Sequence, residues 1–150
     1  MTESIVIAAA RRTPIGAFQG VFASTSATQL GTAAAAAALA DAGLSPEAID
    51  EVIFGCVLPA GLGQAPARQA AVGAGIAMSV PATTVNKMCG SGMKAVMMGG
   101  DAIRAGSARV VLAGGLESMT NAPYLLLKAR GGFRMGHGEI HDHMFYDGLQ

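Results

Sequence analysis

The sequence has little of what defines several protein classes. It contains no tryptophan, 5% aromatic residues, two cysteines and 13% charged residues, with a formal net charge of zero. So few aromatic residues argue against an aromatic-rich β-sandwich, and two cysteines make no disulfide framework. The balanced charge argues against a surface that binds nucleic acids. No apolar run approaches the roughly 18 residues of a membrane helix, and the first arginines follow the first apolar run, unlike a secretory signal. We therefore expect a soluble, cytoplasmic protein that binds neither nucleic acids nor membranes.

Small and apolar residues are abundant instead. Apolar residues make up 51% of the chain and there are 21 glycines, which excludes a disordered chain and suits closely packed layers of helix on sheet. Apolar strand-like runs alternate with helix-like runs as far as Met119. This alternation predicts an α/β fold with a parallel or mixed sheet and helices on its faces. The predicted strands are residues 4–10, which we expect to be buried on both faces, 51–58, 81–86 and 108–119.

Local patterns predict where the helices begin and end. Ser26 and Gln29 form a capping box that opens a long, alanine-lined helix, and Gly43 is suited to end it. Pro46 begins a one-turn helix, and a small-residue helix follows the glycine- and proline-rich loop that begins at Pro59. Residues 121–150 are loop-like except for a helix start within 141–150. Because no terminating signal closes that helix, we expect the chain to be the front part of a longer polypeptide.

The segment 86–106 places Cys89 between a strand and a helix. Apolar residues recur at helical spacing from residue 93 to residue 103, on one helical face, and predict a helix over about 90–105. Cys89 then lies at the helix N-terminus, where free N–H groups and the helix dipole stabilise a thiolate and the oxyanion of a thioester. Gly90 and Gly92 leave room for a substrate, and Ser91 offers a hydroxyl group. We interpret Cys89 as a nucleophile, and the alternative is a small buried core residue.

Four other side chains have simpler interpretations. Cys56 lies in the middle of a predicted strand, and we expect it to be buried. Glu117 lies at a strand end, where it could act as an acid or base, but we favour a buried carboxylate that accepts backbone hydrogen bonds. Lys87 and Lys94 flank Cys89 and would stabilise its thiolate if they pointed inward. We favour solvated positions for both lysines.

Two further patterns have features of a metal site or a phosphate site. His137, His141 and His143 lie close together among carboxylates, a composition that can bind zinc or nickel. Their spacing fits no known ligand pattern, so we favour polar loop contacts and no metal. Gly61 and Gly63 precede a helix without the rest of the dinucleotide fingerprint. We explain these two glycines by helix–strand packing.

The segment NKMCGSGMKAV resembles the active-site segment of the thiolases, enzymes that make or cleave 3-oxoacyl-CoA thioesters. Four more segments resemble this family in the same order. RRTPIGAFQG resembles the first strand and loop, PAGLGQAPARQAA the second helix entry, GGLESMTNAPYLL the strand after the catalytic helix, and RGGFRMGHGEIHDHMFYDGL the start of the inserted loop domain. Within the family, HDHMFYDGL is most similar to the short-chain acetyl-CoA acetyltransferases. The resemblance covers essentially all 150 residues.

The resemblance implies the N-terminal half of a thiolase-like α/β fold. Residues 1–120 would form the domain that carries the nucleophile, and residues 121–150 would begin the loop domain for tetramerisation and CoA binding. Cys89 would take an acyl group from one thioester and pass it to CoA or to the carbanion of acetyl-CoA, with its own backbone N–H in the oxyanion hole. Met135 and Leu149 are implied contacts of CoA and the acyl group. CoA thioesters are the implied substrates, no cofactor is implied, and the implied assembly is a homotetramer of paired dimers.

The chain departs from the family in what it lacks. Thiolases complete their site with a base histidine, a second cysteine that acts as acid and base, and an asparagine that positions water, all in a later half of the chain. No NEAF, GHP or CGG segment occurs in this sequence. Because a thiolate without its base transfers acyl groups poorly, we expect these 150 residues alone to be half of an active site and inactive. A non-catalytic domain of this fold and a condensing enzyme of the ketoacyl-synthase type remain alternatives.

Overall fold

A computed structural model describes residues 4–150, in which three parallel strands form the central sheet. These are β1 (Glu51–Gly55), β2 (Ala82–Val85) and β3 (Val111–Gly115), in the order β2-β1-β3, with Phe54 opposite both Thr84 and Gly114. Parallel neighbours need crossover connections. The helices α2 (Pro66–Gly73) and α3 (Ser91–Arg104) supply them between β1 and β2 and between β2 and β3. The predicted α/β fold with a parallel sheet is confirmed, although each of the three strands is shorter than predicted.

The helices α2 and α3 cover opposite faces of the sheet. Successive residues of β1 point to opposite sides, and the residues on the two sides face different helices. Val52 and Phe54 are buried in one core cluster with Ala70 of α2. Gly55 points the other way, toward α3, where an added Cβ would lie 2.5 Å from the Cβ of Ser91. The predicted placement of helices on both faces is therefore confirmed.

The first helix, α1 (Ala27–Ala42), packs against α2 and begins and ends where its caps predict. Ser26 Oγ accepts a hydrogen bond from the Gln29 N–H at 3.2 Å, and Gln29 Oε1 accepts one from the Ser26 N–H at 2.8 Å. Gly43 has a φ of +63°, the left-handed conformation that ends a helix. A one-turn 3₁₀ helix follows at Pro46–Ala48, as predicted. The capping box and the glycine cap are both confirmed.

The predicted strand at residues 4–10 is wrong. Val6 and Ile7 are 77% and 78% exposed, not buried on both faces. Between residues 4 and 150 no strand pairs with this run. β-branched residues favour a strand, but a strand forms only when a neighbouring backbone satisfies its N–H and C=O groups.

The apolar stripe of α3 faces outward. Ser91, Ala95 and Gly99 are the buried residues of this helix, whereas Met93 and Met97 of the stripe are 73% and 56% exposed. The periodicity correctly predicted a helix, but small residues and not the methionines contact the sheet. The reason is steric, because the backbone of α3 lies directly on the glycines of β1 and β3.

The remaining chain is built from short elements. β4 (Tyr124–Leu125) pairs antiparallel with β5 (His141–Asp142), and one-turn 3₁₀ helices occur at Met119–Asn121 and Ala129–Gly131. A wide six-residue π-helix, α4 (Met144–Leu149), confirms the predicted helix start in this region. Within residues 4–150, no helix has both the length and the apolar character needed to cross a bilayer.

Candidate active site

Cys89 lies in a tight turn between β2 and α3 that side chains hold in shape. Asn86 Oδ1 accepts a hydrogen bond from the Met88 N–H at 2.9 Å. The buried Ser91 hydroxyl accepts from the Lys87 N–H at 2.8 Å and donates to the Met88 carbonyl at 2.6 Å. Met88 has a φ of +50°, which is unfavourable for a residue with a side chain. These three bonds offset that cost, so the Ser91 hydroxyl serves the turn and is not free for a substrate.

The Cys89 thiol is exposed, and it lies one residue before Gly90, the N-cap of α3. Among the described residues, no side chain caps this helix. The backbone N–H of Cys89 has no hydrogen-bond acceptor within residues 4–150. Free N–H groups at a helix start can stabilise an oxyanion that forms next to the thiol. The predicted position of Cys89 at the helix N-terminus is confirmed, and its role as a nucleophile stays a prediction.

An apolar cavity of about 380 Å³ opens in front of Cys89. Glycine backbone and apolar side chains form most of its wall, and among residues 4–150 Glu117 is the one charged residue that lines it. The volume accommodates a short acyl chain together with the sulfur that carries it. The residues that line it are Gly55, Val57, Leu58, Met88, Cys89, Ser91, Gly92, Gly115, Leu116, Glu117, Met119, Met144, Gly148 and Leu149.

Glu117 is bound to the backbone beside the cavity. Its carboxylate accepts hydrogen bonds from the N–H groups of Val57 at 2.7 Å and Leu58 at 3.1 Å, and the Cys56 thiol donates to it at 3.7 Å. With these contacts the carboxylate fixes the loop that follows β1. The interpretation as a carboxylate that accepts backbone hydrogen bonds is confirmed, although Glu117 is half-buried and not fully buried.

Cys56 is a core residue, as predicted. It is buried, and burial together with the negative charge of Glu117 and the hydrogen bond to it raises the pKa of the Cys56 thiol to about 12. Cys56 therefore stays a thiol at neutral pH. Lys87 is exposed, as predicted, and Lys94 is half-buried. Across residues 4–150 neither lysine is hydrogen-bonded to Cys89.

The two predicted CoA and acyl contacts lie in different places. Leu149 lines the cavity together with Cys89. Met135 is 99% exposed on the loop after Gly132 and does not line the cavity. A role in substrate binding stays a prediction for both. Sequence reasoning missed Leu58 and Met144 as wall residues, because single apolar residues in a loop and a short helix show no periodicity that points to a site.

The three histidines do not come together. His143 is buried and its Nδ1 lies 2.6 Å from the Asp147 carboxylate, whereas His141 contacts Glu139 at 3.5 Å and His137 is exposed. Within residues 4–150, no three His, Cys, Asp or Glu side chains are grouped so that they could hold a metal ion.

The explanation of the two loop glycines by helix–strand packing is wrong. Gly61 and Gly63 have φ values of +77° and +82°. Glycine is needed there for the left-handed backbone of the loop.

Comparison with known proteins agrees with this geometry. Residues 5–150 match the family model described as thiolase, N-terminal domain. The chain is 52% identical over 147 residues to an acetyl-CoA acetyltransferase of Pseudomonas aeruginosa, and 54% identical over 147 residues to acetyl-CoA acetyltransferase 2 of Arabidopsis thaliana. It is 51% identical over 148 residues to an acetyl-CoA acetyltransferase of Escherichia coli.

These alignments cover 98% of the chain but only 36–38% of the three relatives. The chain thus spans less than two fifths of the length of the curated relatives it matches. A family match over nearly the whole chain, with about half of the residues identical to these relatives, shows that the chain belongs to the thiolase family and corresponds to its N-terminal domain.

Proposed function

We propose that the chain is the N-terminal part of an acetyl-CoA acetyltransferase that forms or cleaves acetoacetyl-CoA or another 3-oxoacyl-CoA. The observation that carries the proposal is the exposed Cys89 thiol at the start of α3, which opens into an apolar cavity of acyl size. The relatives that match this part of the chain are named acetyl-CoA acetyltransferases. CoA thioesters are therefore the proposed substrates, and the chemistry needs no further cofactor.

The proposed chemistry is acyl transfer through Cys89. The Cys89 thiolate attacks the thioester carbonyl carbon, and the backbone N–H of Cys89 donates to the oxyanion that forms. The bond from the carbonyl carbon to the CoA sulfur then breaks, and CoA leaves with the proton that Cys89 has lost. In the second step CoA takes the acyl group back, or the carbanion of a second acetyl-CoA attacks the acyl carbon and releases Cys89. The apolar wall lines the cavity in which the acyl group would lie.

The second step needs a base that residues 4–150 do not place beside Cys89. The buried His143 is bound to Asp147 and does not line the cavity. We assign the base histidine, the second cysteine and the asparagine to the additional length that the relatives have. Residues 121–150 then begin the loop domain, with Met135 and Leu149 as candidate CoA and acyl contacts. A cytoplasmic homotetramer is part of the same proposal.

One alternative keeps a specific observation in its favour. Because no base contacts Cys89 within residues 4–150, a non-catalytic domain of this fold would look the same at Cys89. The ketoacyl-synthase alternative has no such support, since the family match is to the thiolases.

Intact-protein mass spectrometry on the purified natural protein, before and after acetyl-CoA, tests the proposal. We expect the protein to gain one acetyl group, because a thiolate at this position attacks the thioester. The Cys89→Ala variant should gain none, and the matched Cys56→Ala variant should gain one, since Cys56 is buried as a thiol. A natural protein that never gains an acetyl group would leave the non-catalytic domain as the better explanation.

A further inference from the structure

One wall of the cavity comes from two segments that lie far apart in the sequence. Leu58 belongs to the loop after β1, and Met144, Gly148 and Leu149 belong to α4. The two segments touch, because a Cβ added at Gly148 would lie only 3.1 Å from Leu58 Cδ2. The position of α4 relative to this loop therefore sets the shape of the apolar wall.

His143 joins the same two segments just outside the cavity. Its Nε2 accepts a hydrogen bond from the Ala60 N–H at 3.4 Å, and its Nδ1 lies 2.6 Å from Asp147 Oδ2 in α4. Its backbone N–H donates to the Pro123 carbonyl at 3.1 Å. His143 thus connects three segments, which are the loop after β1, the residue that precedes β4, and α4.

The hydrogen bonds determine how the His143 ring is held. Because Nε2 accepts from an N–H group, the ring proton is on Nδ1 and is donated to the Asp147 carboxylate. His143 is only 4% exposed, so a rotated ring would leave two buried polar atoms without partners. The loop after β1, which carries the Ala60 N–H, is also held in place, because Glu117 accepts a hydrogen bond from the N–H of Leu58. The ring position and the wall position are therefore coupled.

We propose that His143 is a positioning residue that, through Ala60 and Asp147, holds the apolar wall against the cavity and so determines which alkyl and acyl chains the cavity accepts. The inference rests on the proposed function in taking this cavity as the acyl site. The wall itself can be probed without acyl transfer, because Cys89 lines the cavity and its thiol is exposed.

The probes are N-ethylmaleimide and N-hexylmaleimide, which alkylate Cys89 and differ by four methylene groups. The measured quantity is the ratio of the hexyl to the ethyl rate constant at pH 7, divided by the same ratio for glutathione. A fully buried methylene favours binding about fourfold. We expect a selectivity of about tenfold for the wild type, because four partly buried methylenes contact the wall. The Cys89→Ala variant should not be alkylated.

Four variants separate the hydrogen bonds from general stability. His143→Phe keeps a ring but loses both bonds, and Asp147→Ala loses one, so both should lower the selectivity to about that of glutathione. Asp147→Asn keeps an acceptor for Nδ1–H and should retain the wild-type value. His137→Phe makes the same substitution at an exposed histidine and should also retain it. Circular dichroism shows which variants are folded. If His143→Phe is unfolded, the difference in selectivity between Asp147→Ala and Asp147→Asn tests the inference.

Three results would overturn the inference. These are a wild-type selectivity equal to that of glutathione, a folded His143→Phe that keeps the wild-type selectivity, and an Asp147→Asn as unselective as Asp147→Ala. The proposed function fails by a different result, since it requires acetylation of Cys89 by acetyl-CoA. Normal acetylation in a folded His143→Phe with unchanged alkylation selectivity would refute this inference alone.

Discussion

At the scale of the residue, environment separates two identical side chains. The Cys56 thiol is buried in the core, whereas the Cys89 thiol is exposed at the cavity. Burial and the neighbouring Glu117 carboxylate both disfavour a thiolate at Cys56. Cys89 instead follows a strand and precedes an uncapped helix. The chemical difference between them therefore comes from position and not from residue type.

This difference predicts which cysteine iodoacetamide modifies. A pKa raised to about 12 keeps Cys56 protonated at pH 8 and well above it, because the thiolate appears only as the pH approaches that value. We expect peptide mapping after treatment at pH 8 to show modified Cys89 and unmodified Cys56. The same treatment in concentrated urea should modify both cysteines. Equal modification of Cys56 in the folded protein would contradict the assignment.

At the scale of the element, small residues decide how closely α3 approaches the sheet. A Cβ at Gly55 would lie 2.4 Å from the Ser91 carbonyl carbon and 2.6 Å from the Gly92 nitrogen. These are backbone atoms that cannot move without shifting the helix. The close approach brings Cys89, at the start of α3, to the cavity that Gly55 also lines.

Gly55→Ala should therefore destabilise the fold, whereas Gly100→Ala should not. The Gly55 substitution overpacks the interface of β1 with α3 and should lower the free energy of unfolding by about 1–3 kcal/mol. At Gly100 an added Cβ comes no closer than 3.7 Å to the end of the Arg104 side chain. Alanine there should raise the free energy by about 0.5–1 kcal/mol through helix propensity. Urea unfolding followed by circular dichroism measures both values, and a Gly55→Ala as stable as the wild type would refute the packing argument.

At the scale of the whole molecule, apolar surface remains uncovered. The sheet has β2 at one edge and β3 at the other. The outer face of α3 exposes Met93 and Met97, and the run at residues 4–10 exposes Val6 and Ile7. Apolar residues grouped in this way usually mark surfaces that other protein covers.

The 150-residue chain should accordingly bind an apolar dye. We expect anilinonaphthalene sulfonate fluorescence to rise with the wild-type chain and to rise less with Met93→Lys/Met97→Lys, because the double variant makes the α3 face polar. The Asp101→Lys variant adds a lysine at an exposed position of the same helix and should not reduce the signal. Equal fluorescence from the wild type and the double variant would show that this face is not the dye-binding surface.

What the sequence determined by itself is largely local. The capping box at Ser26, the glycine cap at Gly43 and the helix start after Cys89 follow from neighbouring residues, whose hydrogen bonds and backbone angles do not depend on distant parts of the chain. The order of motifs also identified the family, because five segments resemble thiolase segments in the same order along the chain.

Tertiary structure decided the features that depend on distant contacts. Whether residues 4–10 form a strand depends on a neighbouring backbone, and which side of α3 packs depends on the glycines of the sheet. The wall made by Leu58 and α4, and the contact of His143 with Ala60, join residues more than 80 positions apart. Periodicity and spacing describe only what lies within a few turns or a single strand. Such contacts therefore exist only once the chain is folded, because burial and hydrogen-bond geometry are properties of the packed molecule.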